Sequence, residues 1–312
     1  MKNLFNVMSV ATLCLSVGAG CLDQVGDDPS ADQGDTSVDT QPSDEAVTPT
    51  ARVWGHPGKF VSQGGKCLDI RNNGTANRTP VQLWDCNGSD AQRWDSPNYE
   101  WDTIASRGPS YKVLDAPYTT DYSTTWIFDS WGGANQKWII PTMEIRGVGD
   151  KCVDVPFTTD GSVVWMFQCW GGSNQKWTFN RTTGQIKTSD GRCLAKTQET
   201  NNAPVLVRTC DGSWSQKWFL EDGGRIGAGN GRCLDVPDGN TADRTPLQLY
   251  TCSGFWSSAH SFYFRGPIQG LQSQKCLQVH TTSSGYDTYN GSQPELFTCN
   301  GDAGQQWGFH WE

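Results

Sequence analysis

Helical periodicity and charged residues are both scarce in this chain. No stretch of ten or more residues repeats its apolar positions at the helical period, and charged residues make up only 18% of the 312 residues. Residues 51–312 hold 25 acidic and 23 basic residues, a net charge of −2 out of −9 for the whole chain. Such a nearly neutral body gives no broad electrostatic reason to bind nucleic acid or an anionic membrane.

Motifs of the common catalytic and metal sites are also missing. The sequence has no His-Glu-x-x-His, Gly-x-Ser-x-Gly, glycine-rich phosphate loop or Cys-x-x-Cys, and its four histidines are scattered. Glycoside hydrolysis requires two carboxylates that face each other across one cleft, and no pattern here pairs them. We therefore predict no catalytic residues, no cofactor and no metal site.

The first 21 residues are typical of an export signal. Lys2 is followed by a short apolar stretch, Leu4 to Val17, which is too short to span a bilayer. The segment ends in Gly18-Ala19-Gly20-Cys21, which resembles a bacterial lipobox and implies a lipid on Cys21. Ordinary cleavage after Ala19 or Gly20 is the alternative. Cysteine parity favours the lipid, because ten cysteines then remain to pair.

Residues 22–52 are predicted to be a disordered acidic linker. They hold eight acids and almost nothing apolar, so they cannot bury a core. The linker is either a spacer that holds the folded part away from a surface or a solvated tail.

A fixed repeat fills the remainder of the chain. A Gln-x-Trp triplet occurs five times, and a sixth copy has decayed to His260-Ser261-Phe262. The final aromatics lie 44, 39, 41, 44 and 45 residues apart, which indicates a repeat architecture. The intact triplets are Gln92-Arg93-Trp94, Gln136-Lys137-Trp138, Gln175-Lys176-Trp177, Gln216-Lys217-Trp218 and Gln305-Gln306-Trp307.

The cysteines follow the same repeat, two in each of five copies. The second repeat has Val113 and Ser130 at the two places, so both partners are absent together, as a local disulfide predicts. Each bridge would close a loop of about twenty residues, worth roughly 3 kcal/mol in the chain-entropy account. The predicted pairs are Cys67 with Cys86, Cys152 with Cys169, Cys193 with Cys210, Cys233 with Cys252, and Cys276 with Cys299.

Short alternating runs around the cysteines predict about four strands per repeat. Lys66-Cys67-Leu68-Asp69-Ile70 and Val81-Gln82-Leu83-Trp84-Asp85-Cys86 alternate apolar and polar residues, and Gly, Asn, Asp and Pro clusters separate such runs. The chain is therefore predicted to be all-β. One unit cannot bury its apolar face alone, so several must close around shared Trp and Leu side chains.

These motifs together resemble the ricin B-chain-like lectins, a family that also supplies carbohydrate-binding modules to bacterial glycosidases. The resemblance rests on Cys-Leu-Asp-Ile/Val, Val-Gln-Leu-Trp-x-Cys and Asn-Gln-x-Trp, and it covers the chain after the linker. It implies a β-trefoil of three repeats, so six repeats imply two tandem β-trefoils, at 53–178 and 179–312. The Trp of each triplet is then a core residue, and its Gln holds a turn or orients a neighbour.

The resemblance also implies which residues bind sugar. In the family, the Asp after Cys-Leu accepts hydrogen bonds from sugar hydroxyls, an aromatic before the second Cys stacks on the pyranose, and the Asn before Gln-x-Trp holds a further hydroxyl. The third and second repeats keep the whole set: Asp154, Phe167, Asn174 and Gln175 in the third, and Asp115, Phe128, Asn135 and Gln136 in the second. Trp165 and Trp126 stand where Gln is common.

The other repeats keep less of the set. The first has Ala91 in place of the Asn, the fifth has Ala259 and His260 in place of Asn and Gln, and the fourth and sixth are predicted to be silent. The retained residues are Asp69, Gln82, Trp84 and Gln92 in the first repeat, and Asp235, Gln248 and Tyr250 in the fifth. Because these acids are expected in open pockets, Asp154→Ala and Asp115→Ala together are expected to abolish most glycan binding with little change in the melting temperature.

The sequence thus predicts an exported bacterial lectin that binds galactose-type or related pyranose units of glycans or polysaccharides through several weak sites. It is expected to be monomeric, to touch a membrane only through a lipid on Cys21, and to lie on the cell surface or outer membrane or be secreted. The alternatives are a structural or protein-interaction β-trefoil, in which each Asp caps its own turn, and a glycan-acting hydrolase.

Overall fold

The chain folds as strands joined by turns. The computed structural model describes residues 57–97, 102–108, 111–156, 159–253, 257–282 and 285–311. The predicted signal segment with Cys21, and the predicted linker, lie outside these ranges. The described residues contain strands and short 3-10 turns and no α-helix, which confirms the all-β class. None of their helical turns has the length and apolarity needed to cross a bilayer.

Each repeat contributes a first strand, a hairpin, and a last strand that begins at or beside the triplet aromatic. The first three repeats contain β1 Pro57–Val61, β2 Lys66–Ile70, β3 Thr79–Asp85, β4 Trp94–Asp95; β5 Ala105–Ser106, β6 Val113–Asp115, β7 Ser123–Thr124, β8 Trp126–Phe128, β9 Trp138–Ile139; β10 Glu144–Arg146, β11 Cys152–Asp154, β12 Trp165–Phe167, β13 Trp177–Asn180. The last three contain β14 Gln185–Thr188, β15 Cys193–Lys196, β16 Val205–Arg208, β17 Phe219–Glu221; β18 Arg225–Gly229, β19 Arg232–Asp235, β20 Thr245–Pro246, β21 Gln248–Thr251, β22 Tyr263–Pro267; β23 Gln269–Gly270, β24 Lys275–Gln278, β25 Thr281–Thr282, β26 Gly285–Tyr286, β27 Glu295–Thr298, β28 Gln306–Trp311.

Short 3-10 turns place the Gln of each triplet. Six of these turns end on that Gln or on its substitute His260, and three others follow the second strand or precede it. The turns are Arg71–Asn73, Asp90–Gln92, Ala134–Gln136, Val148–Asp150, Ser173–Gln175, Trp214–Gln216, Pro237–Gly239, Ser258–His260 and Ala303–Gln305.

Strand pairing closes the first, second and sixth repeats into one trefoil, here named the outer trefoil. The last strand of the first repeat, β4, pairs with β5 of the second, and β9 of the second pairs with β23 of the sixth. The ring closes where β28 of the sixth repeat pairs with β1 of the first, from Gly58 opposite Trp311 to Val61 opposite Gly308. The hairpins of the same three repeats also pair with one another.

The third, fourth and fifth repeats close in the same way into the inserted trefoil. β13 pairs with β14, β17 pairs with β18, and β22 of the fifth repeat returns to β10 of the third. Their hairpins meet through β12 with β20 and through two isolated bridges. This trefoil interrupts the outer one between the second and sixth repeats.

The predicted division into 53–178 and 179–312 therefore does not describe the strand pairing. The structure has two groups of three repeats, but they are nested in the chain and not consecutive. Closure requires only that the last strand of one repeat meets the first strand of another. Because all six repeats share the same local motifs, their order in the sequence does not reveal which strands meet.

One strand joins the two trefoils. Along one edge β22 pairs with β10 of the inserted trefoil, and along the other it pairs with β28 of the outer trefoil. Phe264 in β22 has its ring centroid 4.7 Å from that of Trp311 in the outer trefoil and 6.1 Å from that of Phe179 in the inserted trefoil.

The tryptophans of the triplets are core residues, as predicted. All five are at most 2% exposed. Each indole Nε1 donates to the carbonyl of the residue that follows the first half-cystine position, as Trp177 does to Val153 at 2.9 Å. A buried indole needs such a partner for its N–H, so each triplet fixes the second strand of its own repeat to the core.

The five predicted disulfides are all present. Each bridge joins the two half-cystines of one repeat, with Cα atoms 5.1 Å apart. In the second repeat, which has no bridge, Val113 fills the first place and is buried.

The nested pairing predicts how fragments fold. Residues 142–267 contain all three repeats of the inserted trefoil and are expected to unfold cooperatively alone. Residues 53–178 are not expected to do so, because β10 and β13 lose their partners β22 and β14. Near-ultraviolet circular dichroism of the two fragments during heating is the measurement. A cooperative melt of 53–178 together with a featureless 142–267 would contradict the nesting.

Candidate functional site

Four repeats place an Asp at the end of the hairpin's first strand, and all four are buried. Asp69, Asp115, Asp154 and Asp235 are between 3 and 5% exposed. Asp115 and Asp154 do line open pockets, but the expectation that their removal would leave no buried partner unsatisfied is wrong. Side chains from the second half of each of these repeats cover the acids and donate hydrogen bonds to them.

In the third repeat the carboxylate of Asp154 accepts three hydrogen bonds. Its Oδ1 accepts from Trp165 Nε1 at 3.0 Å, and its Oδ2 accepts from Asn174 Nδ2 at 2.9 Å and Gln175 Nε2 at 2.8 Å. A carboxylate has about four lone-pair sites, so one remains on Oδ1. The predicted group of Asp, Asn and Gln is thus assembled here, with Trp165 added to it.

The second repeat repeats this arrangement. Asp115 Oδ2 accepts from Asn135 Nδ2 at 2.8 Å and from Gln136 Nε2 at 3.0 Å. Trp126 corresponds to Trp165, but its Nε1 makes no hydrogen bond of normal geometry within the described residues. Burial raises the pKa of Asp115, and the nearby Gln136, Trp126 and Asn135 N–H groups oppose that rise.

Each of these two carboxylates lies beneath an open pocket with aromatic walls. The pockets have volumes of about 480 Å³ in the third repeat and 730 Å³ in the second. The third-repeat walls are Pro156, Trp165, Phe167, Trp170, Asn174 and Arg244. The second-repeat walls include Pro117, Trp126, Phe128, Trp131, Asn135 and Arg78. Predicted aromatics and amides therefore line the same cavity in each repeat.

Trp131 and Trp170 are wall residues that sequence reasoning missed. They are 65% and 63% exposed, which is unusual for such large apolar rings. Each ring lies over a glycine, Gly133 or Gly172, where an added Cβ would meet it at 2.1 Å. The signal in the sequence is Trp-Gly-Gly directly before Ala/Ser-Asn-Gln-Lys-Trp, which only these two repeats contain.

Exposure of these tryptophans has a structural cost. At the same place the first, fourth and sixth repeats have Asn87, Asp211 and Asn300, whose side chains accept a hydrogen bond from the backbone two residues later. That local bond stabilises the turn. Trp131 and Trp170 cannot form it, so two repeats forgo it for a ring that faces solvent.

The first repeat builds a similar centre with a different partner. Gln82 Nε2 donates to Asp69 Oδ1 at 2.8 Å, and Gln92 Nε2 donates to Asp69 Oδ2 at 3.1 Å. Burial raises the pKa of Asp69, against these two hydrogen bonds. Trp84 is exposed, but Ala91 supplies no amide, so the centre lacks the Asn of the complete repeats.

The fifth repeat replaces the Gln by a histidine. Gln248 Nε2 donates to Asp235 Oδ2 at 2.8 Å, and His260 Nε2 lies 3.0 Å from Asp235 Oδ1. The angle at that His–Asp contact is not that of a hydrogen bond. Tyr250 is exposed beside this centre, and Ala259 leaves the Asn place empty.

The fourth and sixth repeats have different centres. The fourth has Ala195 instead of Asp, and Lys196 places its ammonium 4.8 Å from the ring centroid of Trp214. The sixth exchanges the two groups: Gln278 stands at the Asp place, Glu295 stands opposite on β27, and their side chains are hydrogen-bonded. Neither repeat presents the Asp–Asn pair of the second and third.

The Gln of the triplet connects the loop to the acid in the first three repeats. Gln175 Oε1 accepts from the backbone of Trp170 at 2.9 Å, while its Nε2 donates to the Gln168 carbonyl and to Asp154. Gln92 and Gln136 make the equivalent contacts. The triplets are therefore structural, and they position the acid and the exposed ring.

The arrangement favours binding over acid–base chemistry. The buried aspartates belong to separate repeats and do not form a facing pair within the described residues. Among the described residues, two groups could offer several metal ligands. Each consists of one Glu and two cysteines, and those cysteines are disulfide-bonded to each other. A thiolate is the form that binds metal, and a bridged sulfur cannot supply it.

Comparison with known protein families assigns the repeats to one family. The model of the ricin-type beta-trefoil lectin domain matches residues 56–143, 141–254 and 222–312. The chain belongs to this family. The first match ends where the inserted trefoil begins and the second covers most of that trefoil, while the third begins in the fifth repeat and continues through the sixth repeat of the outer trefoil. Membership supports carbohydrate binding in general and confirms the resemblance drawn from the motifs.

Two curated proteins are similar to parts of the chain. The probable lipoprotein EnvE of Salmonella typhimurium is 50% identical over 98 residues, which are 31% of this chain and 54% of that protein. Nigrin b of Sambucus nigra is 25% identical over 259 residues, 80% of this chain and 44% of that protein. The chain thus spans about half the length of the curated relatives it matches.

Solved structures of lectins are more distant. A non-toxic homologue of type II RIPs from Momordica charantia, in complex with alpha-methyl-D-galactoside, is 19% identical and covers 66% of this chain and 95% of its own, with a TM-score of 0.34. The C-half of an earthworm R-type lectin, in complex with GalNAc, is 14% identical and covers 39% and 96%, with a TM-score of 0.33.

The buried position of Asp154 predicts the outcome of removing it. Asp154→Ala leaves N–H groups of Gln175 and Trp165 without an acceptor, which is expected to lower the free energy of unfolding by about 1–3 kcal/mol. Asp154→Asn keeps one acceptor oxygen and should cost less. Denaturant unfolding of both variants beside Asp90→Ala, which removes an exposed acid of the first repeat with only a surface ion pair to Arg93, is the measurement. Equal stability of Asp154→Ala and the parent would contradict the network.

Proposed function

We propose that this chain is an exported carbohydrate-binding protein that holds galactose-type or related pyranose units in the pockets of its second and third repeats. The observation that carries the proposal is the repetition of one assembly in two pockets: a buried Asp with Asn and Gln, under walls that include three aromatic rings. The first and fifth repeats are weaker candidates, because Ala91 and Ala259 stand in place of the Asn.

The chemistry of the pockets suits a sugar. A pyranose has an apolar C–H face, which packs on Phe128 and Trp131 or on Phe167 and Trp170. Its hydroxyls both donate and accept, so they can donate to the free lone pair on the Asp and exchange hydrogen bonds with the Asn amide. No proton transfer or covalent step is needed, so the proposal is binding without catalysis.

Each pocket should bind weakly alone. An open pocket buries little ligand surface, and its hydroxyl contacts compete with water. Because one complete pocket lies in each trefoil, a single chain can hold two sugar units of one polymer. Linkage of two weak sites can raise apparent affinity by roughly 10²–10⁴. Glycans or polysaccharides are therefore the proposed partners, with the chain itself as a monomer.

The proposed location is outside the cytoplasm. Five disulfides within the described residues fit an oxidising compartment. A lipid on Cys21 would hold the lectin at a bacterial surface, and cleavage near that residue would release it. The similarity to a probable lipoprotein, over 31% of this chain, supports the lipid-anchored form.

Removal of the two exposed rings tests the sites. Trp131→Ala and Trp170→Ala together are expected to lower glycan binding at least tenfold, about 1.4 kcal/mol, because each pocket loses one stacking wall. The melting temperature should stay close to that of the parent, since both rings are solvent-exposed. Binding is measured on a glycan array and by retention on polysaccharide gels.

Trp214→Ala is the matched control for this double variant. It removes an exposed Trp from the fourth repeat, which has no buried Asp, and should leave glycan binding unchanged. Parent-like binding by the Trp131→Ala/Trp170→Ala protein would refute the site assignment. An array without any binding would favour a structural or protein-interaction role instead, and release of sugars from a polymer would favour a hydrolase.

A further inference from the structure

One backbone position, here named the hairpin tip, recurs in all six repeats with a left-handed conformation. At each tip the residue donates its backbone N–H to a carbonyl of a neighbouring repeat in the same trefoil, at 2.7–2.9 Å. The tips are Arg78, Tyr122, Gly161, Asn202, Arg244 and Gly291, with φ between 64° and 94°. The hydrogen bond shows which neighbour each tip faces.

The residue type at the tip differs among repeats in a way that backbone preference does not explain. Gly161, Gly291 and Asn202 take positive φ at low cost. Arg78 and Arg244 have φ values of 68° and 69°. For a residue with a long side chain this left-handed conformation costs about 1–2 kcal/mol. Two repeats thus carry a conformational cost to place an arginine at the tip.

Both arginines face the complete pockets. Arg78 of the first repeat bonds to Ile127 and lines the pocket of Asp115, while Arg244 of the fifth bonds to Met166 and lines the pocket of Asp154. They come from the same sequence, Thr-Ala-Asn/Asp-Arg-Thr-Pro, in different trefoils.

The other tips face incomplete repeats and bring no charge. Tyr122 faces the sixth repeat, where its ring lies edge-on to Phe297 with centroids 5.2 Å apart and fills the equivalent space. Gly161 faces the fourth repeat, Asn202 the fifth and Gly291 the first. Arginine therefore occurs only where the neighbouring repeat has Asp, Asn and an exposed Trp together.

The two guanidinium groups keep their hydrogen-bonding capacity. Both side chains are exposed, and within the described residues neither guanidinium forms a hydrogen bond or an ion pair. The Arg244 Cζ lies 6.0 Å from the ring centroid of Trp165, at the edge of cation–π contact. The neighbouring Asp243 already binds Lys151 Nζ at 2.6 Å and the Gln168 backbone at 2.9 Å.

The buried acid of each pocket does not use this charge. Asp154 is stabilised by Trp165, Asn174 and Gln175. The arginine at the rim is therefore free for a ligand. A guanidinium binds a carboxylate or sulfate through two parallel charge-assisted hydrogen bonds, each about twice as strong as a bond between neutral groups.

We propose that the pockets of the second and third repeats select acidic pyranoses, whose carboxylate or sulfate substituent pairs with Arg78 or Arg244 while the ring stacks on the aromatic walls. This inference rests on the proposed function, since it assumes that these pockets hold a sugar. It makes the ligand an anionic polysaccharide, with two acidic residues of one polymer bound by one chain.

The test compares polymers that differ in charge. The full chain, with its disulfides formed, is measured for retention on polygalacturonate, neutral galactan and sulfated galactan. The parent is expected to bind one or both acidic polymers at least tenfold more tightly than the neutral one, and added salt should reduce this preference. The carboxylated and sulfated arms identify which substituent the arginines prefer.

Variants assign the preference to the two arginines. Arg78→Gln with Arg244→Gln should abolish this preference, because binding to the acidic polymers should fall at least tenfold more than binding to neutral galactan. The lysine versions should retain part of it, since charge remains without the two-bond geometry. Arg208→Gln, which removes an exposed arginine from the fourth repeat, is the matched control and should change nothing. Melting temperatures verify that all variants fold.

Three different negative results would lead to different conclusions. Equal binding of the parent to acidic and neutral polymers would overturn the acidic preference and leave the lectin function intact. An equal loss on all polymers in the glutamine variant would also overturn it, because the arginines would then be general hydroxyl contacts. Absence of binding to these polymers and to every glycan of an array would refute the proposed function itself, and the inference with it.

Discussion

The structure depends on the contacts that the Gln-x-Trp triplet makes within each repeat. The buried indole, such as that of Trp177, donates to a carbonyl of the hairpin and anchors the hairpin to the core. Two residues before that Trp, Gln175 bridges the preceding loop, at Trp170, and the carboxylate of Asp154. Core packing and site geometry are therefore one network, so a pocket is positioned by the same residues that hold its trefoil together.

Local features of this network could be predicted from the sequence. The disulfides join residues within one repeat, and Asp154, Asn174 and Gln175 meet because the repeat folds onto itself. The grouping of repeats could not be predicted, because closure depends on pairing between distant strands, such as Trp138 opposite Gly270. Similar repeats compete for the same closure, so their order along the chain does not indicate the partners.

The remaining features of the site escaped prediction for two physical reasons. Burial of Asp154 follows from side chains of a later loop, whose approach the spacing alone does not give. Arg244 lies beside that pocket because a left-handed backbone at the hairpin tip points it at a different repeat. Trp170 had a local signal in the sequence, the two glycines that follow it. Only the structure shows that its ring lies over Gly172, where a side chain would collide with it.

Two nested trefoils thus present one complete pocket each, and the central claim is that both pockets hold a pyranose. A crystal structure of the chain soaked with a saccharide that it binds tests this most directly. The account predicts one sugar ring against Trp131 and one against Trp170, each with a hydroxyl at the buried Asp, and none in the fourth or sixth repeat. Sugar bound elsewhere, with both of these pockets empty, would contradict it.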